Sequence, residues 1–204
     1  MLFPLVRDSK VEAELAGDRC HPICADVGLA SAESAIASVL EAHTSSLDLL
    51  INNAGNVRKL RWLPETAAED LEELFRVHCV GAFRCTRAAL PFLRKAPKPA
   101  VVNITSRFGS TARAAGGEFR GIYSYSIAKS AQNMLTVCLD QELRKEGIRV
   151  FAVHPGRLRT SVAAVDADTE PRAAAEKLAE WLDSADRDAG CSLYDLMAGE
   201  IIPW

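Results

Sequence analysis

Tyr125 and Lys129 stand four residues apart in the stretch GIYSYSIAKSAQNML at 121–135. On a helix that spacing sets both side chains on one face. A phenol titrating near 10 is a poor acid at neutral pH, and a neighbouring ammonium favours its ionised form. The pair therefore makes Tyr125 a tunable proton donor and acceptor. Tyr123 has Ile127 at the same offset and gains no such partner. Pairs at this spacing are frequent, so the reading depends on what else the fold brings to Tyr125.

Three further stretches bear on it. LLINNAGN at 49–56 runs an apolar strand into Asn52, Asn53, Ala54 and Gly55, small and polar residues that let a backbone approach a flat ligand. VVNITSRFGS at 101–110 puts Thr105 and Ser106 at the end of a second strand, and VFAVHPGRLRT at 150–160 breaks a third at Pro155 and Gly156. Each strand delivers its polar groups at its C-terminal end, the edge at which open α/β sheets bind ligands.

The elements that must position these groups alternate. Short apolar runs at 2–6, 22–25, 47–51, 100–104 and 148–153 predict strands, with 191–195 as a further one. Helical patterns cover 31–43, 66–95, 124–146 and 170–184. Ser31 opens the first, Thr66-x-x-Glu69 is a capping box for the second, and Thr169 is the N-cap of the last with Pro171 in its first turn. Ile127, Ala131, Met134, Leu135, Cys138 and Leu139 give the third an apolar face, against its own core or a partner. The alternation implies an α/β, Rossmann-like doubly wound parallel sheet in a single domain over residues 1–204. The segment TSVAAVDADT at 160–169 reads equally as a modest lid or a solvated connector.

With 204 residues, 49% of them hydrophobic, the chain has ample material for one core. A net charge of −3 without a basic run implies neither nucleic acid nor an anionic membrane as partner. No apolar run approaches the ~20 residues that span a bilayer, and MLFPLVRDSK is too short before its charges for a secretory signal. Cysteines 20, 24, 79, 85, 138 and 191 lack paired spacing and read as reduced, buried thiols of a cytoplasmic protein. No Cys or His cluster completes a metal site.

Together, Asn52-Asn53-Ala54-Gly55, Ser106, Tyr125-x-x-x-Lys129, and Pro155-Gly156 with Thr160 resemble the short-chain dehydrogenase/reductase family, and SLYDLMAGEIIPW at 192–204 resembles its carbonyl-reductase-like branch. The resemblance implies that Tyr125 passes a proton to or from a carbonyl or alcohol oxygen as hydride moves to or from a nicotinamide. It implies that Ser106 holds the same oxygen, that Lys129 binds ribose hydroxyls and lowers the Tyr125 pKa, and that Thr160 and the 154–156 backbone hold the carboxamide. Asn53, Ala54 and Gly55 border the adenosine side, and Asp26 and Val27 resemble the adenine contact. Arg7 resembles the family's selector for the 2′-phosphate, which favours NADP(H) over NAD(H). The partners implied are a small carbonyl or alcohol substrate and further copies of the chain, as a homodimer or homotetramer.

The chain departs from the pattern at three places. His78 stands where the family usually has an asparagine that positions a water in a proton relay, and reads either as its substitute or as a histidine satisfied inside a helix. TARAAGGEFRG at 111–121 widens the gap between Ser106 and Tyr125 and is expected to loop out beside the substrate pocket. The family's opening strand, Gly-x-x-x-Gly-x-Gly turn and helix, which hold the pyrophosphate, have no counterpart in these 204 residues. The first βα unit, about 25–30 residues, is thus expected to be absent, leaving two unpaired inner strand edges. Burying about five strand residues is worth roughly 8–15 kcal/mol, comparable to a whole net stability of ~5–15 kcal/mol. Two readings follow: an NADP(H)-dependent reductase whose chain here is truncated, or a non-catalytic binding or oligomer-forming module without cofactor affinity.

Overall fold

The aliphatic run at 100–104 forms the most deeply buried strand, β4 (Ala100–Ile104), in which Val101, Val102 and Asn103 are inaccessible. The structure, a computed structural model, describes residues 1–57, 62–118, 122–160, 167–184 and 190–204. β3 (Leu49–Asn52) and β5 (Arg149–His154) flank β4 in parallel, and the register sets Ile51 beside Val102 and Val102 beside Phe151. β6 (Leu193–Asp195) continues parallel beside β5, and β7 (Glu200–Ile202) folds back antiparallel on β6. β1 (Leu5–Val6) and β2 (Ile23–Cys24) form a separate parallel pair.

Both groups of strands feed one apolar cluster: Leu5, Ile23 and Ala25 pack with Leu50, Val101 and Val150. Among the described residues, however, no ladder joins β1 to β3. Leu49 and Ile51 stay 37% and 42% exposed, whereas Val102, the register partner of Ile51, is 0% exposed. The Rossmann-like sheet is therefore present without the strand expected between β1 and β3. Its inner edges carry apolar side chains that no backbone partner covers.

Helices α1 (Ser9–Leu15) and α2 (Ser31–His43) follow β1 and β2. α1 is capped by the Asp8 carboxylate, which accepts from the Lys10 amide, and buries none of its residues, so it left no periodic signal. In α2 Ala32, Ile36 and Leu40 recur at four-residue spacing and face the core.

The single helix expected over 66–95 is instead α3 (Ala68–Phe75), a π-helical segment Arg76–Gly81 and α4 (Ala82–Leu93). The Thr66–Glu69 capping box does not form. Ala67 is the N-cap without a side-chain bond, and the Thr66 hydroxyl donates to the Trp62 carbonyl. The π segment packs closely: a Cβ at Gly81 would stand 2.8 Å from Val27 Cγ2. Segment 111–121 is not simply a loop, because Ser110 caps a short α5 (Thr111–Ala115); residues 119–121 lie outside the described residues. α6 (Tyr123–Leu143) and α7 (Pro171–Ser184) match their expected spans. Thr169 does not cap α7, however; its hydroxyl donates to Asp168, its amide bonds Arg157, and Glu170 precedes the helix. Of the lid or connector at 160–169, residues 161–166 lie outside the described residues.

On α6 the polar stripe faces inward: Ser124, Gln132, Thr136 and Asp140 are buried, while Ile127 and Met134 are 46% and 62% exposed. Of the expected apolar face, Leu139 packs on the chain's own core, while Ile127, Met134 and Cys138 are exposed. All six cysteines are free, but only Cys85 is buried and Cys24 and Cys138 are exposed, so the expectation of buried thiols fails for most of them. Among the described residues, no helix is long and apolar enough to cross a membrane.

Two neighbours in register should respond unequally to truncation. Val102→Ala, inside the sheet, is expected to cost about 2 kcal/mol of unfolding free energy. Ile51→Ala, on the uncovered edge, should cost less than about 1 kcal/mol. Urea denaturation of both variants reads the difference, and equal losses would mean that β3 is covered in solution.

Candidate active site

Because β3, β4 and β5 are parallel, Asn52, Ser106 and Pro155 emerge at one edge of the sheet. Ser106 follows β4 and is buried, and its Oγ accepts from the Phe108 amide, which caps the 3₁₀ turn Arg107–Gly109. That hydroxyl lies close enough to the Tyr125 phenol to favour its ionised form. Tyr125 lies in the first turn of α6, between the rings of His78 and Phe108, at centroid distances of 5.6 and 6.1 Å and near-perpendicular angles. Tyr123 is 40% exposed on another face of α6. The fold thus separates the two tyrosines as their spacing indicates.

Lys129 is buried one turn further along α6, with Nζ 5.8 Å from the centroid of the Tyr125 ring. It donates to the Ile104 carbonyl at 2.7 Å and to Gln132 Oε1 at 2.9 Å. Burial lowers its pKa to about 7. The Tyr125 pKa is raised, because burial outweighs the opposing influence of Ser106. The lowering of Tyr125 expected from Lys129 is therefore not the net effect here.

His78, in the π segment, clamps the loop after β3. Its Nε2 donates to the Asn56 carbonyl at 2.7 Å, and its ring lies so close to Gly55 that a Cβ there would stand 2.4 Å from Cε1. Burial, with the charge of Lys129, takes its pKa down to about 3, so the imidazole is neutral at ordinary pH. His154, buried where β5 meets Pro155, falls to about 4, chiefly through burial and against the pull of Asp195. Neither the fixed role of His78 at Gly55 nor the buried state of His154 was visible in the sequence.

A chain of buried amides and hydroxyls stitches these strands together. Asn52 Nδ2 donates to Asn103 Oδ1 at 2.8 Å and to Thr86 Oγ1 at 3.2 Å. Asn103 Nδ2 donates to Thr136 Oγ1 at 2.9 Å, and Thr136 donates on to the Gln132 carbonyl at 2.8 Å. Sequence reasoning missed Asn103, Thr86, Thr136 and Gln132. The only available signal was polar residues inside apolar elements.

The remaining expected residues lie around this centre. Gly156 has φ +92°, and a Cβ there would meet the Met197 side chain at 2.7 Å and Thr169 Oγ1 at 3.0 Å, so only glycine fits. Thr160 is exposed beyond it, above a base closed by the Leu158–Thr169 bridge and the Arg157–Asp168 ion pair. Asn53, Ala54 and Gly55 are exposed after β3. Asp26 is partly buried, with its carboxylate accepting from the Gly28 amide at 2.8 Å; Val27 is buried, and Arg7 is exposed just after β1. Among the described residues, no group of three or more His, Cys, Asp or Glu side chains could hold a metal.

The two buried histidines tie stability to pH. Each holds fewer protons folded than unfolded between the ordinary value of 6.5 and its folded value of about 3 or 4. Stability should therefore fall as pH drops from about 6.5 toward 4. His78→Asn and His154→Asn should each flatten that fall, read as urea midpoints at pH 7 and pH 4.5. An unchanged slope in both variants would contradict the assignment.

Comparison with known proteins accords with this geometry. The chain is 30% identical over 161 residues to C-signal of Myxococcus xanthus, spanning 79% of this chain and 95% of that protein. It is 29% identical to cyclopentanol dehydrogenase of Comamonas sp., of which it spans just over half the length, 57%. Among solved structures, the NADPH-bound carbonyl reductase from chicken fatty liver superposes with a TM-score of 0.83 at 25% identity, over 99% of this chain and 87% of that one. The carbonyl reductase Sniffer of D. melanogaster shares the fold with a TM-score of 0.88 at 22% identity, over 100% of this chain and 88% of that one. The short chain dehydrogenase family model matches residues 7–171, from the end of β1 to the start of α7, and the chain belongs to that family.

Proposed function

We propose that the chain is an oxidoreductase that moves hydride between NADP(H) and a small carbonyl or alcohol substrate. The observation that carries this reading is the joining of Ser106, Tyr125 and Lys129 on one sheet edge, with Lys129 Nζ 5.8 Å from the centroid of the phenol ring. The nicotinamide side fits in that pairing of Tyr125 and Lys129 on α6. The pyrophosphate side does not, because these 204 residues hold no Gly-x-x-x-Gly-x-Gly turn. NADP(H) is favoured over NAD(H) by the exposed Arg7 at the end of β1. The bound cofactor would supply or accept the hydride.

In reduction, Ser106 orients the carbonyl oxygen by donating a hydrogen bond to it, and Tyr125 Oη gives that oxygen its proton. The oxygen thereby becomes a hydroxyl, and Tyr125 is left as a phenolate beside Lys129. Lys129, with a pKa of about 7, is poised to return a proton at neutral pH. His78 stays neutral and keeps the Gly55–Asn56 loop against the site.

Self-association through α3, α4 and α6, as a homodimer or homotetramer, is part of the reading. Phe75, Phe83, Ile127 and Met134 on these helices are 41%, 40%, 46% and 62% exposed. A cytoplasmic location is supported by the six free thiols. A second reading, a non-catalytic binding or oligomer-forming module, is favoured by the split sheet and by the relative C-signal, matched over 95% of its length.

Tyr125→Phe should lower kcat/KM for carbonyl reduction at saturating NADPH by about 10²–10⁴-fold. Tyr123→Phe should stay within about twofold. Retained reduction by Tyr125→Phe would remove Tyr125 as the proton donor.

A further inference from the structure

Among the described residues Lys129 reaches no carboxylate, yet it is 4% exposed, so its charge is met by neutral oxygens. One of those oxygens is the Ile104 carbonyl, fixed by β4. The other is Gln132 Oε1, one helical turn along α6 on a side chain that is 1% exposed. The helix turn that carries Gln132 is tied to the sheet, since its main-chain carbonyl accepts from Thr136, which accepts from Asn103, which accepts from Asn52. A long polar side chain buried against apolar elements needs such a use, because an unpaired amide costs about 1–3 kcal/mol.

We infer that Gln132 is a positioning residue that holds the Lys129 ammonium beside the end of β4. The contact stands on the geometry alone, while its consequence for catalysis rests on the oxidoreductase reading. The charged form of Lys129 is favoured by both acceptors and opposed by its burial. The titratable groups that face it are His78 from the π segment, Tyr125 from α6 and His154 from β5, and both histidines are neutral above about 4. Gln132 is thus a side chain through which the sequence can tune the proton on Lys129 without touching Tyr125 or Ser106.

The test is the titration of Lys129 followed by NMR in the whole chain carrying ¹³C-labelled lysine, its resonance identified by loss in Lys129→Arg. Gln132→Glu places a carboxylate beside the ammonium and should raise the midpoint by about one to three units. Gln132→Met keeps the bulk, removes the acceptor, and should lower the midpoint by about one unit. Either shift, in whichever variant folds, supports the inference; midpoints unchanged in folded variants overturn it. The pH profile of carbonyl reduction should move in the same direction. If the Lys129 midpoint moves and the profile does not, Gln132 still positions Lys129 and the assignment of Tyr125 and Lys129 to catalysis fails.

Discussion

An ammonium buried at the end of a parallel sheet is the constraint around which this fold is arranged. Lys129 has lost nearly all its water, and the two protein oxygens it reaches come from β4 and from its own helix. Supplying the second oxygen requires a polar residue inside α6. The turn that carries that residue is tied by its main-chain carbonyl, through Thr136 and Asn103, to Asn52 at the end of β3. The inward face of α6 mixes polar Gln132, Thr136 and Asp140 with apolar Ala128 and Leu143, while Ile127 and Met134 point outward. The residue that meets the buried charge thus sits on a turn that is itself stitched to the sheet.

A second constraint opposes the first. The amide chain ties β3 to β4 and α6 firmly, yet among the described residues β3 has no partner on its other side and β1 and β2 stand as a separate pair. The two groups meet through side chains such as Leu5, Ile23 and Leu50, without backbone bonds. Side-chain packing is less directional than a strand ladder, so β1 and β2 are held less specifically than the rest. Arg7, Asp26 and Val27 lie on or beside that pair, whereas Ser106, Tyr125 and Lys129 lie on the stitched part. The residues we propose for proton transfer thus lie on the stitched part, and those we propose for the adenosine end rest on the looser strands.

The sequence made much of this legible, and unevenly. β4, α2, α6 and α7 could be read almost to their ends because their apolar periods are long or their strands fully buried. The short α1 and β7 could not. α1 buries nothing, and β7 depends on a turn in which Asp195 accepts from the Met197 and Ala198 amides and Gly199 adopts φ +73°. The π segment was hidden because the pattern over 66–95 is continuous, and only the backbone widens. Tyr125, Lys129 and Ser106 were legible through spacing and strand ends. Gln132 and Asn103 were not, since a lone polar residue in an apolar stretch says nothing of its partners until the strands are paired.

The central claim is that these residues form the nicotinamide side of a dinucleotide site. The most direct test is NADPH fluorescence titration of the folded 204-residue chain, with Lys129→Ala as control. The account predicts a saturable enhancement, weakened by the missing pyrophosphate turn and lost in Lys129→Ala. A folded chain that gives no saturable change, or a change indifferent to Lys129, would contradict it and leave the binding module as the better reading.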